Sequence, residues 1–221
     1  MTHLLSELNA LVLGFFILCT IAMTVTRQIG ACMLIFVVQS LLLAASAFLL
    51  GAHPFSWHLF ALGCVTVISK AIVIPWLLRA LTPRGNYYRR EMSQALDVPV
   101  ALLVALGLSL AGYAFSQHVV RAAPNLSGGN IAMGFAGLLV GLLLLAVRTE
   151  AVPQLLGILA MENAAFLAGI AIAPDFPLIA ELAIAFDVPL LAFIVALLTR
   201  IAYREMGTTE VGALASLREE P

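Results

Sequence analysis

Apolar residues gather along this chain in runs of about 20, separated by short polar punctuation. A run of that length, wound as an α-helix, matches the hydrocarbon thickness of a bilayer. Seven runs fall at roughly 5–26, 29–51, 57–81, 98–119, 130–148, 152–173 and 178–203. The pattern predicts an all-α, polytopic membrane protein of seven transmembrane helices. Loops between the runs are short, and the longest, LTPRGNYYRREMSQALD, separates the third run from the fourth. Pro83 and Gly85 end the third helix, and Asp97 with Pro99 begins the fourth. The opening MTHLLSELNALVLGFF lacks the Lys/Arg cluster of a signal peptide, so it reads as a retained first helix. A polar tail, 204–221, follows the seventh run; Val211, Leu214 and Leu217 give it the spacing of a short amphipathic helix.

Four polar residues interrupt these runs near mid-membrane. Glu162 sits in VPQLLGILAMENAAFLAGIAI and Asp187 in LIAELAIAFDVPLLAFIVALL. Lys70 lies in VTVISKAIVIPWLL and Gln39 in IFVVQSLLLAASAFLL. A charged side chain at the bilayer centre costs roughly 2.5–3.5 kcal/mol on insertion scales. Two carboxylates in adjacent helices therefore point to proton or ion handling; the alternative is that they pair with donors and only fasten helices together. A lysine beside Glu162 or Asp187 would keep its charge, whereas an isolated one would lose its proton. Pro75 removes the backbone bond to the Ala71 carbonyl and Pro189 the one to Ala185, each within a turn of a charged residue.

These positions also suggest an internal repeat. Gln39 falls where Glu162 falls and Lys70 where Asp187 falls, and Lys70–Thr82 and Asp187–Thr199 both span twelve residues. The expected organisation is two parallel three-helix repeats, 5–81 and 130–203, joined by one linking helix, 98–119, with 204–221 as a tail.

Composition agrees with the pattern. The chain has 221 residues, 62% hydrophobic and 10% charged, against about 25% charged in soluble domains. Its net charge of −1 leaves no nucleic-acid footprint. Arginines decide the expected orientation. Arg27, Arg79, Arg84, Arg89, Arg90, Arg148, Arg200, Arg204 and Arg218 fall on one side of a seven-helix chain, and Arg121 alone on the other. The positive-inside rule puts the N-terminus outside and the C-terminus in the cytoplasm of the cell's inner membrane. His3, His53, His58 and His118 then lie near the outer face. Trp57 marks the outer interface, and Trp76, Tyr87, Tyr88 and Tyr203 the inner one.

Several chemistries find no footing. Cys19, Cys32 and Cys64 lie within apolar runs and form no CxxC, which argues against zinc, an iron–sulfur cluster or a disulfide framework. No GxGxxG or Walker motif occurs, no histidine pair sits mid-span for haem, and hydrolase constellations are missing. The one mid-span lysine is in the third run, not the seventh, where a retinal protein would carry it.

AMENAAFLAG, followed by AIAFDVPLLAFIVALLTR and a tail of the form MGTTEVGALASL, resembles hydrogenase-4 component E. Met161–Glu162–Asn163 and Asp187 match that family's MEN motif and later aspartate, and ISKAIVIPWLL matches its lysine segment through Lys70. The resemblance covers essentially the whole chain. The last three runs are also similar to the K subunit of respiratory complex I and the C subunit of Mrp antiporters. There Asp187 takes the place of the second glutamate, while the first glutamate's slot falls on Leu159, nearly one turn before Glu162. The resemblance implies a non-catalytic membrane subunit of a group 4 [NiFe]-hydrogenase or formate-hydrogenlyase-like complex. Its partners would be antiporter-like membrane subunits, a complex I-type membrane anchor and peripheral hydrogenase subunits. No cofactor would bind this chain; the NiFe centre and iron–sulfur clusters would sit on partners. Glu162, Asp187, Lys70 and Gln39 would form the proton or ion relay. Two other readings stand beside this one: a purely structural scaffold of such a complex, and a free-standing small transporter.

Overall fold

The computed structural model describes residues 2–53, 55–81, 92, 94–122, 127–172 and 193. The expected seventh helix, 178–203 (Phe193 apart), and the tail 204–221 lie outside them. So do Asp187, Pro189, Tyr203 and the arginines at 200, 204 and 218, together with Arg84, Arg89, Arg90 and both tyrosines of the long loop.

Within the described residues the chain is helical. The helices are α1 (Thr2–Val25), α2 (Ile29–Gly51), α3 (Trp57–Thr66), α4 (Ile74–Leu81), α5 (Val98–Ala122), α6 (Gly128–Val147) and α7 (Ala151–Ile172). A π-helical segment, Val67–Val73, joins α3 to α4, so the three make one continuous rod. Counting that rod once, 6 helices are long and apolar enough to cross a membrane. Each coincides with one of the first six apolar runs, to within a few residues at the ends.

The π segment is more specific than the interruption expected at Pro75. Ile74 donates its amide to the Ser69 carbonyl, five residues back. Proline has no N–H, and its ring crowds the carbonyl four residues earlier. Widening the turn before Pro75 relieves that crowding, and such π turns recur at functional positions. Lys70 sits in the middle of this one.

Four helices form the core. α1 packs on α2, α2 on α7, α7 on α6, and α6 back on α1. The α3–α4 rod lies outside α2, and α5 lies outside α6 and α1. Helices in lipid gain little from the hydrophobic effect and associate through close contact at small residues. α6 meets α7 in that way. A Cβ added at Gly134 would stand 2.7 Å from the Ala168 backbone nitrogen, one at Gly141 2.8 Å from Met161 Cα, and one at Gly157 2.8 Å from the Leu145 nitrogen. α5 turns Ala101, Ala105, Gly112 and Ser116 inward, with Gly112 pressed against the backbone of Ala136. Its long side chains, Leu103, Leu110 and Phe115 among them, face outward, as lipid-facing residues do.

Two apolar clusters fill the bundle. One holds Met23, Met33, Phe36, Ile74, Leu155 and Leu159 and their neighbours, towards the end that carries Arg27. The other holds Leu13, Phe16, Leu43, Leu62, Ala164 and Leu167, towards the end that carries His53. Between them, one turn thick, lies a polar layer.

Candidate functional site: a charged pair between two apolar clusters

α1, α2, α7 and the π segment each give the polar layer residues flanked on both sides by apolar turns. α1 supplies Thr20, between Phe16 and Met23. α2 supplies Gln39 and Ser40, between Phe36 and Leu43. The π segment supplies Ser69 and Lys70, between Leu62 and Ile74. α7 supplies Glu162 and Asn163, between Ala160 and Ala164.

At its centre the Lys70 Nζ stands 3.0 Å from Glu162 Oε1. The lysine side chain is 4% exposed and the glutamate 19%. Lys70 also donates to Asn163 Oδ1 at 2.9 Å and lies over the Phe166 ring, 4.6 Å from its centroid. Asn163, fully buried, donates through Nδ2 to Ser40 Oγ at 2.9 Å and to Gln39 Oε1 at 3.3 Å. Gln39 donates in turn to Thr20 Oγ1 at 2.8 Å, and Thr20 to the Phe16 carbonyl at 2.9 Å.

Three of the four expected site residues thus share one network. Lys70 and Glu162 pair directly. Gln39 meets Asn163, the residue after Glu162. Asp187 lies outside the described residues. Leu159 is fully buried in the apolar cluster. Glu162 is therefore the carboxylate that reaches the layer from α7. Asn163, Thr20, Ser40 and Phe166 were not expected as site residues. Asn163 had a sequence signal, since it stands in the MEN triplet. A threonine or serine in an apolar helix has none, because it often returns its hydroxyl to its own backbone, as Thr20 and Ser40 both do.

Two further polar contacts fasten the ends of the bundle. At the His53 end, Asn9, Ser46 and Asn130 close a ring of three hydrogen bonds, each 2.7 Å, across α1, α2 and α6. Above it opens a cavity of about 340 Å³ bordered by Ser6, Asn9, Leu13, Leu50, His53 and Ser127. At the other end, Arg148 is 1% exposed. Its guanidinium donates to the carbonyls of Met23, Thr24 and Thr26 at 2.9, 3.3 and 2.6 Å and to Gln94 Oε1 at 3.1 Å. A cation here caps the negative end of α1. Burial pulls this guanidinium below its ordinary value, while the Glu150 carboxylate acts the other way. Arg148 was expected as one loop charge among nine; the structure makes it a buried fastener of α1, the α6–α7 link and the segment before α5.

No protein-family model matches the chain, and no solved structure matches it. One similar protein is the uncharacterized protein Rv0085 of Mycobacterium tuberculosis (strain ATCC 25618 / H37Rv), 27% identical over 206 residues. The similarity spans 93% of this chain and 94% of that protein.

Proposed function

We propose that this chain is an integral membrane subunit of a hydrogenase-4 or formate-hydrogenlyase-like, complex I-related energy-converting complex, and that it contributes buried charge to proton or cation translocation. The observation that carries the reading is the ion pair of Lys70 and Glu162, held inside helices of membrane length. Taking two charges out of water costs several kcal/mol per ion, so a fold that merely needs fastening has less costly means. This bundle uses such a means in the neutral ring of Asn9, Ser46 and Asn130. The resemblance of AMENAAFLAG and ISKAIVIPWLL to hydrogenase-4 component E supplies the setting, with antiporter-like, anchor and hydrogenase subunits as partners. In this reading Glu162 and Asp187 exchange protons, Lys70 is the charge opposite them, and Gln39 supports the network. The seven-helix, two-repeat organisation and the outside N-terminus belong to the same proposal.

The test is coupled proton transfer in the assembled complex carrying Glu162→Gln or Asp187→Asn. A loss of transfer with assembly intact is the expected result, and wild-type pumping in both variants would sink the reading. A scaffold role is the second reading, favoured by the number of helices that meet at Asn163. It predicts that the same substitutions lose assembly and activity together.

A further inference from the structure

The polar layer holds two kinds of group, and they cannot do the same work. Carboxylates and amines exchange protons; amides and hydroxyls in fixed hydrogen bonds orient and polarise. The direction of each bond is set by the chemistry at the far end. Thr20 and Ser40 give their single hydrogens to the carbonyls of Phe16 and Phe36. Their remaining lone pairs therefore receive the N–H groups of Gln39 and Asn163. Those contacts turn the Asn163 amide so that Oδ1 faces Lys70. The whole limb runs donor to acceptor away from Lys70 and ends on a helix carbonyl.

Lys70 Nζ consequently meets three acceptors: the Glu162 carboxylate at 3.0 Å, the Asn163 carbonyl oxygen at 2.9 Å and the face of Phe166 at 4.6 Å. An ammonium group has three N–H donors and no lone pair, whereas a neutral amine has a lone pair that needs a donor. Each of the three neighbours favours a cation, the ring through its quadrupole. Among the described residues, α1 and α2 bring Thr20, Gln39 and Ser40 to this layer, all neutral, and Glu162 of α7 is the titratable group that faces Lys70.

We infer that Lys70 is a fixed cation held in a three-sided cage and not a proton carrier, and that Asn163 and Phe166 are the positioning residues that build the cage. Glu162 is the group of the pair that takes up and releases a proton. When it is protonated, Lys70 keeps its charge through Asn163 and Phe166. This rests on the reading of the pair as the charged site of a translocating subunit, but its test stands apart from translocation.

Lys70 is the only lysine in the sequence. The full chain, grown with side-chain 15N-lysine and placed in lipid nanodiscs, therefore carries a single Nζ resonance, whose position separates ammonium from amine. The expected result is an ammonium signal from about pH 5 to about pH 9, a window in which an uncaged buried lysine would give up its proton. An amine signal anywhere in that window overturns the assignment. Phe166→Leu and Asn163→Leu should each lose the ammonium signal at the upper end of the window, and Phe166→Tyr should restore it; wild-type behaviour in both leucine variants overturns the cage. The wild-type series decides the state of Lys70 even if a variant fails to fold. A fixed ammonium together with wild-type pumping in Glu162→Gln and Asp187→Asn would sink the translocation reading alone. A titrating lysine with translocation lost in those variants would sink the cage alone.

Discussion

Lys70 and Glu162 stabilise each other in a place where neither charge would be stable alone. Removing one partner of a buried pair leaves an uncompensated charge and typically costs about 3–5 kcal/mol, whereas replacing both by apolar residues of similar volume is often neutral or stabilising. Lys70→Met alone and Glu162→Met alone are therefore expected to lower the unfolding midpoint in detergent, and Lys70→Met/Glu162→Met to recover most of the loss. Two additive losses in the double variant would show that the pair is not coupled. The sequence displays the charges here and hides their contacts. That Lys70 and Glu162 stand at mid-run is plain from the apolar residues on either side. That they touch each other, with Asn163 and Phe166 completing the set, depends on the rotation of two helices separated by 92 positions in the chain.

Helices in this protein are placed by their smallest residues. Gly141 has no room for a Cβ, because one added there would stand 2.8 Å from Met161 Cα, which is backbone and cannot turn aside. Gly14, by contrast, has nothing within 4 Å of an added Cβ. Gly141→Ala should push α6 from α7 and destabilise by about 1–3 kcal/mol. Gly14→Ala should be neutral, or stabilising by up to about 1 kcal/mol from helix propensity. Thermal unfolding of both variants in the same detergent checks this, and equal midpoints would contradict the packing argument. The α3–α4 rod shows what element-scale reading of a sequence misses. Pro75 announces a break in the helix, but whether the backbone kinks or widens into a π turn depends on what the neighbouring helices leave room for. Here it widens, and Lys70 rides on the widened turn.

For the whole molecule, the described ends differ in kind. Arg27 and Arg148 mark one end, where the Met92 amide bonds the Arg27 carbonyl and Ala95 that of Val147. His53, Ser127 and the cavity mark the other. Because Arg148 is buried and bonded to the carbonyls of Met23 and Thr24 in α1 and of Thr26 just after it, it contributes less to loop charge than its place in the sequence suggests. The inward assignment then leans on the other eight arginines of that side. Reporter fusions at the two termini test it. The N-terminal reporter should be accessible from outside the cell and the C-terminal one from the cytoplasm; both on one side would remove the seventh span.

Membrane character, the positions of the first six helices and the depth of Gln39, Lys70 and Glu162 all follow from the sequence by itself. Each rests on local hydropathy and helix rise, which need no knowledge of neighbours. The tertiary structure alone decided that Lys70 pairs with Glu162, that Gln39 reaches this pair through Asn163, and that Arg148 is an internal fastener. Those outcomes depend on how far each helix is turned about its own axis. In lipid that turn is set by small-residue contacts and hydrogen bonds between helices, which a one-dimensional pattern of apolar and polar residues does not contain.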